Sequence, residues 1–84
     1  MKITKLAEVY ADKLFGEDNI NWQWCVQEAN FIHQRACEFI IHIGNPDYWE
    51  ERVKEMRAFG CTEDFIQAYL AAKNAGAMRV LFYV

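Results

Sequence analysis

Apolar residues recur at alternating spacings of three and four through the middle of the sequence, between residues 21 and 43. The series comprises Trp22, Cys25, Ala29, Ile32, Ala36, Phe39 and Ile43. Because an α-helix brings residues three and four apart onto one face, this spacing predicts a helix rather than a strand. Such a helix would be the longest element of a short chain, so we expect the remaining elements to pack around it.

Trp22 and Trp24 would lie about 200° apart on this helix. Trp24 aligns with Ile20 and Phe31 in a second apolar stripe. We favour the interpretation that another element of the chain covers this stripe, because small helical domains pack in layers. The alternative is an exposed patch of Trp24, Phe31 and Arg35 that binds a protein partner, since aromatic residues and Arg are common interface anchors.

Four glycines divide the sequence, and each follows a segment with helical periodicity: Gly16, Gly44, Gly60 and Gly76. Glycine is favoured just past the end of a helix because it adopts the left-handed conformation without a steric clash. The sequence therefore predicts four helices, at residues 4–15, 21–43, 46–60 and 62–76. Asn45 with Pro46 and Thr62 are the expected starts of the third and fourth helices.

The last segment, AMRVLFYV, is rich in β-branched, aromatic and aliphatic residues, which favours a strand. Leu81 and Tyr83 would share one face of it. Its pairing partner could be residues 2–5, residues 39–43 if the second helix ends early, or another molecule. A strand at the end of a chain exposes an edge that suits pairing with a second chain, so we expect a protein partner and self-association as a homodimer.

These patterns predict one domain, residues 1–84, of the mostly α (α+β) class. The expected architecture is a compact four-helix domain with a long central second helix and a short C-terminal β-strand. The chain is 54% apolar and 15% aromatic, which is typical of a folded protein. So many aromatic residues exceed what one small core holds, and we expect some of them at the surface.

Charge and hydropathy exclude several classes of function. The net charge is −3 and the basic residues are scattered among acids, so neither a nucleic-acid binder nor a nucleic-acid mimic is expected. The longest apolar run is too short to span a membrane. The first residues lack the apolar core of a signal peptide, which predicts a cytoplasmic protein with reduced thiols.

His33 and Cys37 are four residues apart, a workable spacing for two ligands of one metal ion on a helix. Cys61 is the residue that could join them as a third ligand. The simpler interpretation is that the cysteines are small apolar core residues and that no cofactor or metal is bound. Cys37 and His33, oriented by Glu38, could form a nucleophile–base pair, but such adjacency is common on helices and no oxyanion hole is evident. The sequence also lacks a phosphate-binding loop and a dinucleotide fingerprint, so neither an enzyme nor a small-molecule substrate is predicted.

We therefore predict a small, non-enzymatic protein–protein interaction module. The candidate partner-binding residues are Trp24, Phe31, Arg35, Glu50, Glu51, Glu55, Leu81 and Tyr83. In size and aromatic content the chain resembles small accessory proteins of phages and other mobile elements, including anti-CRISPR inhibitors. That resemblance implies an inhibitor or regulator that binds a bacterial protein complex stoichiometrically. The alternatives are a zinc- or thiol-dependent regulator that uses His33, Cys37 and Cys61, and a structural self-assembling subunit.

Overall fold

Four β-strands and three α-helices occupy the part of the chain that the computed structural model describes, which is residues 5–11, 14–15, 19–33, 38–43 and 48–84. In chain order they are β1 (Leu6–Tyr10), α1 (Ile20–Glu28), β2 (Phe31–His33), β3 (Glu38–His42), α2 (Tyr48–Phe59), α3 (Glu63–Asn74) and β4 (Arg79–Tyr83). The architecture is α+β, with one mixed sheet.

The sheet has the strand order β1-β4-β3-β2. Strand β4 pairs in parallel with β1 and antiparallel with β3, while β2 and β3 form an antiparallel pair. Because β4 is hydrogen-bonded on both sides, it presents no free edge. Of the pairing partners left open by the sequence, residues 39–43 are confirmed, since most of them belong to β3. The expectation that the edge of the C-terminal strand pairs with another chain is wrong, and β1 and β2 are the edge strands instead.

One face of the sheet carries the core. Two cross-strand rows lie on it, Ala7–Val80–Ile41 and Val9–Phe82–Phe39–Ile32. The central members of both rows are buried and cluster with residues from all three helices, including Trp24, Met56, Phe65 and Tyr69. The helices thus form one layer over one face of the sheet, so the fold has two layers, one of helices and one of strands.

The predicted four-helix fold with a long central second helix is wrong. Residues 4–15 contain strand β1, and residues 21–43 contain α1, β2 and β3. The helix α1 begins after Asn19, whose side chain accepts a hydrogen bond from the Asn21 N–H at 2.7 Å, and ends at Ala29, where ψ is 146°. Residues four positions apart share a face in a strand as well as in a helix. The spacing of Phe39 and Ile43 is therefore compatible with either element.

The last two predicted helices and the C-terminal strand are present as α2, α3 and β4. Helices α2 and α3 end at Gly60 and Gly76, whose φ angles of 99° and 87° are in the left-handed region. Thr62 occupies the N-cap position of α3, as predicted, but its side chain makes no capping hydrogen bond. The predicted helix-boundary residues at positions 16 and 44–46 lie outside the described residues.

Buried Asn21 explains why the Thr62 side chain is used differently. Asn21 Nδ2 donates to Thr62 Oγ1 at 2.9 Å and to the Leu14 carbonyl at 3.1 Å, and Asn21 Oδ1 accepts from the Thr62 N–H at 3.0 Å. These bonds join α1 to the start of α3 and to the segment after β1. Among the described residues, no helix combines the length and the apolar character needed to cross a membrane.

Candidate protein-binding surface

The sheet face opposite the helices, which we call the open face, is covered by none of the helices in the described part of the chain. Strand register places three rows of side chains on it: Leu6–Arg79–His42, Glu8–Leu81–Ile40 and Tyr10–Tyr83–Glu38–His33. The residues at its margins are exposed, with Leu6 at 41% and Tyr10 at 62%. The open face is therefore a solvent-facing surface.

Apolar and aromatic side chains dominate the middle of the open face. Leu81 and Ile40 are register partners on the two central strands, and both are half-buried. Tyr83 lies beside Tyr10, with ring centroids 5.5 Å apart and planes tilted by 44°. A sheet with one solvated face usually alternates apolar residues inward and polar residues outward. These outward apolar residues depart from that pattern, which is typical of a surface that binds something.

Charged and titratable groups surround this apolar centre. Glu8, Glu38 and Arg79 carry both signs of charge, and His33 and His42 add two imidazoles. His33 Nδ1 lies 3.4 Å from Glu38 Oε1, with both side chains substantially exposed. Since neither sign of charge prevails, the open face has no strong electrostatic preference for a highly basic or highly acidic partner.

The structure brings two of the predicted partner-binding residues together on the open face, Leu81 and Tyr83 of β4. The alternative of an exposed patch on one long helix is wrong. Trp24 is 1% exposed, in α1 under the other helices, whereas Phe31 lies in β2 in register with Ile40. Arg35 lies outside the described residues.

The predicted acidic residues Glu50, Glu51 and Glu55 are exposed on α2, in the helix layer and away from the open face. Glu51 pairs with Lys54 at 3.6 Å, and Glu55 pairs with buried Arg52 at 3.3 Å. A shallow groove of about 390 Å³ adjoins them, lined by Trp24, Glu28, Glu55, Ala58 and Phe59. The acidic residues and the open face are thus two separate candidate surfaces.

Arg52 anchors the helix layer beside this groove. Its guanidinium donates to the Glu28 carbonyl at 3.1 Å and to Asn30 Oδ1 at 2.8 Å, and it lies over the rings of Trp24 and Tyr48 at 5.7 and 5.3 Å. Arg52 Nε is buried without a hydrogen-bond partner among the described residues. These contacts fix α2 against α1, which is a structural role rather than a binding one.

The candidate metal ligands are not brought together. His33 lies on the open face, whereas Cys61 packs against the core on the helix side of the sheet. Cys37 lies outside the described residues. Within the described ranges, no group of three or more His, Cys, Asp and Glu side chains is placed to hold a metal ion.

The two described thiols have raised pKa values. Burial raises the pKa of Cys61 to about 11. Burial, and to a lesser degree the nearby Cys61, raise the pKa of Cys25 far above that of an ordinary thiol. Because the thiolate is the nucleophilic and metal-binding form, both residues are poorly suited to thiol chemistry near neutral pH.

Sequence reasoning missed Tyr10, Glu38, Ile40 and His42 as members of the open face. The signal in the sequence is limited to the β-branched and aromatic residues of LAEVY and EFIIH, because the alternation along these strands is one of burial in the structure rather than of residue type. These residue types do not show which strands are neighbours, and only the register places these side chains beside Leu81 and Tyr83.

No protein-family model, curated protein or solved structure matches this chain. Its function therefore has to be inferred from its own surface.

Proposed function

We propose that this protein is a small, non-enzymatic interaction module that binds a protein partner stoichiometrically through the open face. The observation that supports this most directly is the register of the two central strands, which sets Leu81 beside Ile40 on a face without a helix among the described elements. When a partner covers apolar groups in the middle of a solvated sheet, their removal from water lowers the free energy of the complex.

The arrangement of the open face is that of a protein interface. Leu81 and Ile40 would form its apolar centre, and Tyr10 and Tyr83 would add large aromatic contacts. Tyrosine is enriched at interfaces because its ring buries a large area while its hydroxyl stays hydrogen-bonded. The charged and titratable residues would form the polar rim.

The partner in this proposal is a bacterial protein complex that the module inhibits or regulates in the cytoplasm. The basis for this choice of partner is that the chain resembles phage and mobile-element accessory proteins in size and aromatic content. Glu50, Glu51 and Glu55 have a secondary role in the proposal, because exposed carboxylates accelerate association with a basic surface. The raised pKa values of Cys25 and Cys61 support a non-enzymatic role over a thiol-dependent one.

The test compares the affinities of matched lysine variants for one purified partner. The partner is captured from the native host by the wild-type protein, identified by mass spectrometry and purified, and its affinity is then measured by calorimetry. We expect Leu81→Lys and Tyr83→Lys to weaken binding by about tenfold or more. Ala71→Lys, at an exposed position on α3, is the control and should bind as the wild type does.

Thermal unfolding of each variant shows whether it is folded. The proposal fails if folded Leu81→Lys and Tyr83→Lys proteins bind the partner with unchanged affinity. Loss of binding in Glu51→Lys and Glu55→Lys instead would assign the interaction to α2.

A further inference from the structure

We propose that a second copy of this chain occupies the open face of the isolated protein, bound face to face about a two-fold axis. The axis lies between the two sheets and runs across the strands, along the row that contains Leu81 and Ile40. This inference rests on the proposed function for the choice of surface, and it adds the identity of one occupant. The partner and the second copy would then compete for the same residues.

The three rows of the open face determine what such an axis brings together. A two-fold rotation about the middle row stacks each strand on its own copy and reverses its direction. Leu81 and Ile40 then meet the same residues of the second copy, which buries the apolar centre of both faces. The outer rows exchange places, so the row that contains Glu38 covers the row that contains His42.

This exchange makes the open face complementary to itself. Each Glu38 carboxylate lies over His42 of the second copy. Both residues belong to β3, where Glu38 is two positions before Ile40 and His42 two positions after it. Each Tyr83 ring similarly lies over Arg79 of the second copy, since both belong to β4 and flank Leu81. Carboxylate–imidazole and guanidinium–aromatic contacts are both attractive. Every such contact occurs twice in the dimer.

The other two-fold arrangement is electrostatically poorer. An axis parallel to the strands stacks β4 on β3 of the second copy and keeps each row on itself. Arg79 would then lie over His42, which brings two basic groups together, and Glu38 would lie over Tyr83 without a cationic partner. Charge complementarity therefore selects the axis across the strands.

The usual angle between packed sheets preserves these contacts. Two sheets that pack face to face cross at about 30° because each is twisted. The outer rows lie about 7 Å from the middle row, since two strand residues span that distance. A 30° crossing displaces them sideways by roughly 3–4 Å, which is less than the spacing of about 4.8 Å between neighbouring strands. Glu38 and His42 of the two copies stay within reach of each other.

Two features limit the strength of this dimer. Three strands of five residues and one of three give a flat contact of roughly 19 Å by 17 Å. This is about 320 Å² per copy, below the ~800 Å² per partner of a standard interface, so we expect weak association. Glu8 lies in the middle row on the edge strand β1, so the axis sets it opposite Glu8 of the second copy. Like charges at an exposed rim repel each other, although solvent screens them. We expect a dimer that dissociates on dilution through the micromolar range.

Sedimentation equilibrium of the full chain, from about 1 μM to about 1 mM, tests the proposal. The wild type should shift from monomer to dimer across this range. Glu38→Lys and His42→Glu should each weaken association about tenfold. Glu38→Lys removes the carboxylate that faces His42, and His42→Glu sets two carboxylates opposite each other. Glu8→Gln should strengthen association several-fold, and Ala71→Lys on α3 is the control that should leave it unchanged.

Charge exchange gives the sharper result. The Glu38→Lys/His42→Glu double variant should recover dimerisation, since its Lys and Glu face each other across the axis. Within one chain positions 38 and 42 are about 13 Å apart along β3, too far for an ion pair in the same molecule. A mixture of the two single variants should form a heterodimer in which both contacts are attractive. Unfolding curves of each variant establish that the change is in association rather than in folding.

A wild type that remains monomeric at all concentrations overturns the proposal, as does failure of the double variant to recover association. Neither result contradicts the proposed function if Leu81→Lys still weakens partner binding. Conversely, a dimer with these charge dependences, in a protein whose partner binding survives Leu81→Lys, supports the second copy and overturns the proposed function.

Discussion

Arg52 Nη2 lies 2.8 Å from Asn30 Oδ1, and the same oxygen accepts the main-chain N–H of His42 at 2.9 Å. One side-chain oxygen therefore ties helix α2 to the turn before β2 and to the end of β3. Asn30 also donates its main-chain N–H to the Ile40 carbonyl at 2.9 Å. This residue stands at the junction between the helix layer and the sheet.

Asn30→Ala should lower the free energy of unfolding by about 1–3 kcal/mol, because it leaves a buried guanidinium with one acceptor fewer and the His42 N–H without its acceptor. Chemical denaturation measures the change. Asn74→Ala removes an exposed amide at the end of α3 and should change stability by less than about 0.5 kcal/mol. Equal effects of the two substitutions would show that the Arg52–Asn30 contact contributes nothing.

The elements that could be predicted from sequence are those whose signals are local. Helix α2 and helix α3 have amphipathic periodicity that ends at glycines, and both glycines adopt positive φ in the structure. Four of the five residues of strand β4, Val80 to Tyr83, are β-favouring or aliphatic. These preferences need no knowledge of distant neighbours, so they persist in the folded protein.

The elements that were mispredicted depend on partners far away in the sequence. Strand β1 pairs with β4 more than 70 residues later, and that pairing outweighs the helical spacing of its apolar residues. The region 21–43 contains a three- and four-residue spacing throughout, but Ala29 is extended and the chain turns at Asn30. No local pattern distinguished this helix–turn–hairpin from one helix.

The same reasoning explains how much of the candidate site was found. Leu81 and Tyr83 share a face in any strand, so their common orientation followed from alternation alone. Their neighbours on the open face, such as Ile40 and Tyr10, are assigned by strand order and register. Without that information the sequence left open whether Trp24 is covered or belongs to an exposed binding patch, and in the structure its side chain is buried.

The buried position of Trp24 should be visible in fluorescence. In a Trp22→Phe/Trp49→Phe variant, Trp24 is the remaining indole, and its side chain is 1% exposed. We expect acrylamide to quench it several-fold less efficiently in the native state than in guanidinium chloride, because the quencher must reach the ring. Far-UV circular dichroism shows that the variant is folded. Similar quenching in both states would place Trp24 at the surface.

The thiols of Cys25 and Cys61 should react slowly with iodoacetamide near pH 8. Burial raises the pKa of Cys61 to about 11, so only about one molecule in a thousand carries the thiolate at that pH. Cys25 is fully buried and should react more slowly still. Peptide mapping by mass spectrometry measures each residue separately, and a Cys37→Ser variant removes the third thiol. The rate at Cys61 should rise about tenfold per pH unit below its pKa.

Reaction of Cys25 in the folded protein as fast as free cysteine would contradict the burial of its thiol. Rapid reaction of Cys61 alone would restore the thiol-dependent regulator as an interpretation. Urea-unfolded protein is the control, and in it all of the cysteines should react at similar rates.

The Arg57–Glu63 pair should produce a specific pH dependence. Arg57 Nη1 and Nη2 donate to the two oxygens of Glu63 at 2.8 and 3.1 Å, and Gln67 Nε2 donates to Glu63 Oε1 at 3.0 Å. The bonds from Arg57, followed by that from Gln67, hold the pKa of Glu63 below its ordinary value near 4.5. Arg57→Met should therefore raise the pKa of Glu63, as measured by NMR titration of its carboxyl carbon.

The sign of the stability effect follows from the lowered pKa. A carboxyl group with a lower pKa in the folded state than in the unfolded state contributes stability above the unfolded value, and this contribution is lost as the pH falls through the folded value. Thermal unfolding temperatures of the wild type and of Arg57→Met should therefore differ most above about pH 5 and converge on acidification. Lys54→Met, which removes a cation on α2 that pairs with Glu51 instead, is the control and should leave the Glu63 titration unchanged. A constant difference between wild type and Arg57→Met down to low pH would mean that packing of the Arg57 side chain, rather than its charge, stabilises the junction of α2 and α3.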